Sequence, residues 1–127
     1  MIIVDTNIII DFWKNPSQAF IDIFLNEDVC ICGIIKAELL HGARNPGEFN
    51  KINDALSEFE YITIDEIAWD YLGDVLFNLK KGGLTIPFQD ALLITIALKN
   101  KMAIWTNDKH IKLAVNIFHD LQLFQPE

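Results

Sequence analysis

Short runs of consecutive apolar residues alternate along this chain with longer segments whose apolar residues recur every three or four positions. Apolar runs of this length are typical of strands that are buried on both faces of a sheet. The pattern predicts four such strands and a fifth strand at the edge of the sheet. The predicted strands cover residues 2–4, 29–32, 61–64 and 102–105, and the edge strand covers residues 121–124.

The segments between these strands have the apolar spacing of amphipathic helices. Ser17 and Asp65 are suitable N-caps for two of the helices, and Asn15-Pro16 and Asn45-Pro46-Gly47 are predicted turns. Strands that alternate with helices favour right-handed crossovers and a mostly parallel sheet with helices on both faces. The predicted fold class is therefore α/β. The predicted helices lie near residues 8–13, 17–26, 34–43, 49–59, 65–82, 88–98 and 109–115.

Length and composition narrow the number of domains and the functions that are expected of this chain. A chain of 127 residues, of which 51% are hydrophobic, is expected to form one domain over residues 1–127 with a substantial core. Ten basic and eighteen acidic residues give a net charge of −8. A protein that coats duplex nucleic acid is basic. Any role on nucleic acid must therefore depend on bound cations, a local basic strip or a partner.

The sequence predicts a cytoplasmic protein without a membrane segment. No apolar stretch approaches the length that crosses a bilayer, and no basic leader precedes the first strand. Cys30 and Cys32 lie two positions apart on a predicted strand, so they share a face and are poorly placed to bond to each other. Two core thiols in a reducing compartment are the expected arrangement.

Four acidic residues stand out by their positions. Asp5 ends the first strand, Asp108 follows the fourth, and Glu38 lies on the helix after the second. The carboxyl ends of parallel strands share one edge of a sheet with the helices that follow them, so these three are expected to meet. Asp90 precedes its strand, but an acid within an apolar helix is rarely left unpaired.

Three of these acids also have a purely structural explanation. Asp5 and Asp108 are suitable helix N-caps, and Asp90 in a first turn complements the helix dipole. A cluster of carboxylates, by contrast, suits Mg²⁺ or Mn²⁺, which prefer oxygen ligands and assist the hydrolysis of phosphodiesters. From position alone, both explanations stay open.

Four motifs together resemble the PIN-domain ribonucleases, and more narrowly the VapC-type toxins of toxin–antitoxin pairs. Each motif is weak alone, but the ordered set covers nearly the whole chain. One departure is Ile94-Thr95-Ile96, where small alanines are commoner. The motifs are IVDTN at 3–7, IKAELLHG at 35–42, GLTIPFQDALLI at 83–94 and WTND at 105–108.

The resemblance implies a fold, a site and partners. The fold is a three-layer α/β/α sandwich, usually a homodimer. Its toxins cleave RNA endonucleolytically and are silenced by a small VapB-like antitoxin whose tail crosses the active site. The implied ligands of Mg²⁺ are Asp5, Glu38, Asp90 and Asp108. The implied polar groups that support these ligands are Thr6, Asn7 and Thr106.

Other residues and other classes of protein are also considered. Lys36, Arg44, Lys109 and Lys112 lie near the acidic motifs and are candidates to bind RNA phosphates, although solvated helix faces explain them equally well. A receiver-like signalling module has a similar length and also uses Mg²⁺, but it requires a phosphoacceptor Asp after its third strand. A PIN-fold scaffold without activity is the other alternative.

Overall fold

Five parallel strands form the central sheet of the computed structural model, which describes residues 1–126. The strand order is β3-β2-β1-β4-β5, so β1 lies in the centre of the sheet. Ile2 of β1 pairs with Val29 on one side and with Ala103 on the other. The strands are β1 (Ile2–Val4), β2 (Val29–Ile31), β3 (Glu60–Tyr61), β4 (Ala103–Trp105) and β5 (Gln122–Leu123).

Seven helices connect the strands and cover both faces of the sheet. The first four connect strands in one direction across the sheet and the last three in the opposite direction, so right-handed crossovers place the two groups on opposite faces. The predicted three-layer α/β/α sandwich is therefore confirmed. The helices are α1 (Thr6–Lys14), α2 (Gln18–Asn26), α3 (Gly33–His41), α4 (Pro46–Leu56), α5 (Glu66–Lys81), α6 (Phe88–Asn100) and α7 (Lys109–Leu113), with a 3₁₀ turn at Ala114–Asn116.

The core has a different character on the two faces. On one face, Trp105 of β4 packs against the rings of Phe20 and Phe24 of α2 at centroid distances of 5.8 and 5.4 Å. On the other face, α6 is buried at every position from Asp90 to Ala97. The Thr95 hydroxyl is fully buried and donates to the Ala91 carbonyl at 2.8 Å, so this departure from small alanines is accommodated within the helix.

Several boundaries differ from the prediction, each for a local reason. Pro46 and Gly47 belong to the first turn of α4 rather than to a separate turn, because the Asn45 side chain caps that helix and accepts from the Glu48 N–H. β3 covers only Glu60 and Tyr61, and its predicted continuation to residue 64 is wrong. The sheet is entirely parallel. None of the helices within residues 1–126 is both long and apolar enough to cross a membrane.

Candidate functional site

Asp5 lies where the two central strands end. Its N–H donates to the Trp105 carbonyl at 2.9 Å, which continues the pairing of β1 with β4 by one residue. One carboxylate oxygen accepts from the Thr6 N–H at 2.7 Å, and the other from the Thr106 hydroxyl at 2.7 Å and the Asn7 amide at 3.3 Å. A carboxylate has about four acceptor positions, so one position of this buried group stays open.

The Thr106 hydroxyl connects the ends of β1 and β4. It donates to Asp5 and accepts from the Asp108 N–H at 3.0 Å and from the Asn7 amide at 3.4 Å. Thr106 is buried, so these bonds are shielded from water. The hydroxyl therefore fixes the orientation of Asp5 and the path of the backbone towards Asp108.

Asn107 and Asp11 belong to the same network, although the sequence prediction omitted both. The Asn107 N–H donates to the Asn7 side-chain oxygen at 3.1 Å, and the Asn107 amide donates to Asp11 at 2.9 Å. Asn7 and Asp11 are four residues apart on α1 and therefore share a helical face. This spacing, together with the WTND motif, is the signal in the sequence that could have identified them.

Asp90 and Asp108 approach each other from different helices. Asp108 caps α7 and accepts from the His110 N–H at 2.7 Å. Asp90 lies in the first turn of α6 and is 9% exposed. Burial raises the pKa of Asp90 to about 6, and the charges of Asp108, Asp5 and Glu38 and a hydrogen bond with Asp108 add to the rise. All four predicted acids therefore share one electrostatic environment.

Glu38 enters this environment from the second turn of α3. Burial raises the pKa of its carboxyl group, and the charge of Asp5 raises it further. The Thr6 hydroxyl lies near enough to lower this pKa slightly, yet it makes no hydrogen bond of ordinary geometry. A buried hydroxyl oxygen without a partner is unusual and commonly marks a place for water or an ion.

The direction of the helices explains why the acids meet. Crossover helices run antiparallel to the strands, so the first turn of α6 lies at the carboxyl edge of the sheet even though α6 precedes β4. The capping roles of Asp5 and Asp108 are also correct, and each cap bond occupies one carboxylate oxygen. The structural and functional explanations are thus compatible.

The predicted RNA-binding cations are in different situations. The Lys36 ammonium lies 5.6 Å from the centre of the Tyr61 ring, and Arg44 forms an exposed ion pair with Glu48 at 3.2 Å. Lys109 is exposed beside Asp108. Lys112 borders a cavity of about 200 Å³ that Thr106 and Asn107 also line, so it lies near the turn after β4.

The acidic cluster lies at the carboxyl edge of an all-parallel sheet, at the switch in strand order, which is where α/β proteins of this kind commonly bind ligands. A sequence profile of the PIN domain matches residues 2–115, and the chain therefore belongs to the PIN-domain family. No curated protein matches the sequence.

Comparison with solved structures shows which PIN-domain proteins this chain resembles. The chain is similar to one in the VapBC2 complex from Rickettsia felis, solved with a DNA fragment from their promoter, with TM-score 0.81, 25% identity and 98% of each chain covered. It is also similar to a chain of VapBC-1 from nontypeable Haemophilus influenzae, with TM-score 0.81, 23% identity and 98% of each chain covered. FitAcB from Neisseria gonorrhoeae matches with TM-score 0.77 and 21% identity over 99% of this chain and 98% of that chain. At 23% and 21% identity, the similarities to the Haemophilus and Neisseria structures show that these chains share the fold of this chain. The resemblance to PIN domains and VapC-type toxins is confirmed.

Replacing Thr106 with Val tests its connecting role. Val keeps the shape of the side chain but removes the hydroxyl, which takes one of three hydrogen bonds from Asp5 and leaves the Asp108 N–H without its partner. We expect a loss of about 2–3 kcal/mol in the free energy of unfolding, measured by urea denaturation. Thr106→Ser retains the hydroxyl and is expected to lose less than half as much. Equal losses in both variants would contradict a role for the hydroxyl.

The raised pKa of Asp90 predicts a pH dependence of stability. Between its ordinary value of 3.8 and about 6, the folded state binds more protons at this group than the unfolded state, so its contribution to stability falls as pH rises. Asp90→Asn cannot titrate and should lack this fall. One pKa unit corresponds to about 1.4 kcal/mol, and after solvent screening at this open edge we expect a relative gain of roughly 1–2 kcal/mol at pH 7.

The measurement is urea denaturation of both proteins in EDTA at several pH values between 4 and 7. Asp54→Asn, at an exposed position of α4, is the control and should keep the parent's pH profile. If Asp90→Asn is less stable than the parent at pH 7, Asp90 has a mainly structural role in the first turn of α6.

Proposed function

We propose that the protein is a Mg²⁺-dependent endoribonuclease and the toxin of a toxin–antitoxin pair. The observation that carries the proposal is the effect of Asp108, Asp5 and Glu38 on Asp90, whose pKa each of them raises. Acids that disfavour one another's charge are retained where a cation offsets the repulsion. Membership of the PIN-domain family supports the same function.

The donor chemistry of the site fits a hard divalent cation such as Mg²⁺ or Mn²⁺. Four carboxylates and the unpartnered Thr6 hydroxyl supply only oxygen atoms. Within the described residues, no three His, Cys, Asp or Glu side chains converge closely enough to bind one ion by themselves. Mg²⁺ in proteins usually keeps several waters and few carboxylate ligands, so this spacing is compatible with its binding.

The residues of the chain have distinct roles in the proposed reaction. Asp5, Glu38, Asp90 and Asp108 would hold the ion partly through bound water, and Thr106 and Asn7 keep Asp5 oriented by their hydrogen bonds. The bound ion would activate water for attack on the phosphodiester and stabilise the charge of the leaving oxygen. Lys112, exposed at the same edge, would hold an RNA phosphate. Products with 5′-phosphate and 3′-hydroxyl ends are expected.

The two alternatives have less support. A receiver-like module requires a free phosphoacceptor carboxylate after the third strand, but both oxygens of Asp65 are engaged. One accepts from the Ala68 N–H at 2.9 Å and the other pairs with Lys99 at 3.2 Å. In a scaffold without activity, there would be no reason to retain an acidic cluster that lowers stability.

A groove beside α1 and α4 supports the proposal of an antitoxin partner. A cavity of about 540 Å³ is lined by aromatic side chains that include Phe12 and Trp13 and is bordered by four acids. A second cavity of about 350 Å³ continues past Trp13 to Ile52. This surface suits an amphipathic segment with apolar and basic residues. The four acids are Glu27, Asp28, Glu58 and Glu60.

The remaining partners and the location follow from the same proposal. The similarity to the VapBC2 complex from Rickettsia felis supports a small VapB-like antitoxin for this chain as well. RNA is the proposed substrate, and a cytoplasmic location is implied by it. A homodimer is also proposed.

The nuclease proposal predicts metal-dependent cleavage. The purified chain should cut a structured RNA in Mg²⁺ or Mn²⁺ and stop when EDTA is added in excess. Asp5→Asn, Glu38→Gln and Asp108→Asn should each lose more than about 100-fold in rate, the upper limit of the loss typical of groups that only support a metal ligand. Asp54→Asn should cleave at the parent's rate. Cleavage that continues undiminished in EDTA would rule out the metal mechanism.

The antitoxin proposal predicts inhibition that depends on the groove and on salt. The small protein encoded beside this chain should suppress cleavage, and its association rate should fall as ionic strength rises, because the acidic border attracts a basic segment. Trp13→Ala should weaken inhibition by about 10- to 100-fold, the range for a buried aromatic anchor. Leu25→Ala, 77% exposed on α2, is the control. Equal inhibition of both variants would exclude this groove as the docking site.

A further inference from the structure

A small cavity lies at the carboxyl edge of the sheet, between the chain that leaves β4 and the chain that leaves β5. Its volume is about 200 Å³. Sites for whole small molecules have volumes of roughly 300–1,000 Å³, so this cavity is suited to one part of a larger ligand. We call it the β4–β5 cavity. Its lining includes the buried residues Trp105 and Thr106 and, nearer the solvent, Asn107, Lys112, Phe124 and Gln125.

The β4–β5 cavity shares a wall with the acidic cluster. Thr106 lines the cavity, and its hydroxyl donates to Asp5 at 2.7 Å. In the sheet, β4 lies beside β1 and β5 lies beside β4. Neighbouring strands are about 5 Å apart, so the cavity lies roughly 5–10 Å from Asp5. A polymer bound at the acids therefore places in the cavity a group that is close to the reacting bond.

The side chains around the cavity combine an aromatic ring with neutral hydrogen-bonding groups. The Phe124 ring is half-buried and packs against Trp105 at a centroid distance of 5.2 Å. The Asn107 amide nitrogen donates to Asp11, and its side-chain oxygen is an acceptor. The exposed Gln125 amide offers both a donor and an acceptor. Proteins bind the unpaired bases of RNA with this combination of aromatic faces and polar groups.

The charge around the cavity distinguishes a base from a free phosphate as its ligand. Lys112 is the only cation among the described residues that line the cavity. Unlike Arg44 and Lys99, it forms no ion pair within residues 1–126. Sites for phosphate alone gather several charged or backbone N–H donors, whereas this cavity has one cation among neutral groups. The lining therefore fits a base, with Lys112 beside it for a phosphate of the same strand.

We propose that the β4–β5 cavity binds one unpaired RNA base next to the phosphodiester bond that is cut. Phe124 stacks on the base, and the amides of Asn107 and Gln125 form hydrogen bonds with its edge. The inference rests on the proposed nuclease function and adds a source of sequence preference to it. The acids and their ion contact only the phosphate, which is the same for every sequence.

The three tryptophans of the chain allow base binding to be measured without cleavage. Trp105 lines this cavity, Trp13 lines the groove proposed for the antitoxin, and Trp69 is exposed on α5. The full chain, labelled with fluorotryptophan and kept in EDTA, is titrated with adenosine, guanosine, cytidine and uridine and followed by fluorine NMR. At least one nucleoside should shift the Trp105 resonance and leave the other two in place. A dissociation constant of about 1 mM is expected, because one base makes few contacts.

Control ligands and a matched pair of variants define what is bound. Ribose and inorganic phosphate contain no base and should leave the Trp105 resonance in place. Gln125→Ala should weaken nucleoside binding about 3- to 10-fold, which corresponds to one neutral hydrogen bond. Gln122→Ala removes the same type of exposed side chain from β5, does not alter the lining of the cavity, and should bind as the parent does.

Cleavage of RNA of random sequence provides a second measurement. The parent should prefer one base at a fixed position beside the cut. Gln125→Ala should reduce this preference about 3- to 10-fold and raise KM with little change in kcat, because the base makes the same contacts before and during the reaction. Gln122→Ala should keep both the preference and the KM.

The outcomes separate this inference from the proposed function. Failure of all four nucleosides to shift the Trp105 resonance, or an equal shift by inorganic phosphate, would overturn the base site even if the chain cuts RNA. A shift of Trp105 by the small protein encoded beside this chain, with none by the nucleosides, would overturn it in favour of the antitoxin. Binding of nucleosides by a chain that cuts no RNA would contradict the nuclease proposal and leave base binding intact.

Discussion

The bond between the Asp5 carboxylate and the Thr106 hydroxyl is the interaction on which the rest of the site depends. It joins the ends of two neighbouring strands that are about one hundred residues apart in sequence, at the point where the strand order reverses. Through it, the turn after β1 and the turn after β4 become one structure, and Asn7 and Asn107 extend that structure on the solvent side. The hydrogen bonds at the acidic edge thus continue the pairing of β1 with β4 beyond the ends of these strands.

The four carboxylates lie where some features of the fold stabilise their negative charge and others destabilise it. The amino ends of α1, α6 and α7 point to the acidic edge, and their dipoles and free N–H groups favour carboxylates. Burial and mutual repulsion act in the opposite direction and dominate at Asp90, whose pKa is raised to about 6. Local backbone groups therefore hold the acids in place without neutralising them. A cation that binds only the folded state would remove the remaining penalty by mass action.

The sequence was sufficient for the parts of the structure that depend on local patterns. Continuous apolar runs identified the strands, and the N-caps at Ser17 and Asp65 were predicted correctly, since each needs only one side chain near its own backbone. The position of Asp90 and the bonds of Asn107 to Asn7 and Asp11 depend on helix direction and on contacts across about one hundred residues, which no local pattern contains. β3 was predicted too long because residues 62–64 look like a strand, but its pairing with β2 ends at the bond from the Ile62 N–H to the Ile31 carbonyl at 2.9 Å.

The central position of β1 has a consequence for how this protein folds. Pairing of Ile2 with Ala103 closes a loop of about one hundred residues, and such distant contacts form late and slowly. Until β4 is in place, β1 has only β2 beside it, and Asp5 lacks both the Trp105 carbonyl and the Thr106 hydroxyl. A chain in which β4 has not yet paired therefore holds its first acid only by the local bonds from the Thr6 N–H and the Asn7 amide. The full set of hydrogen bonds around Asp5 is therefore complete only when β4 pairs with β1.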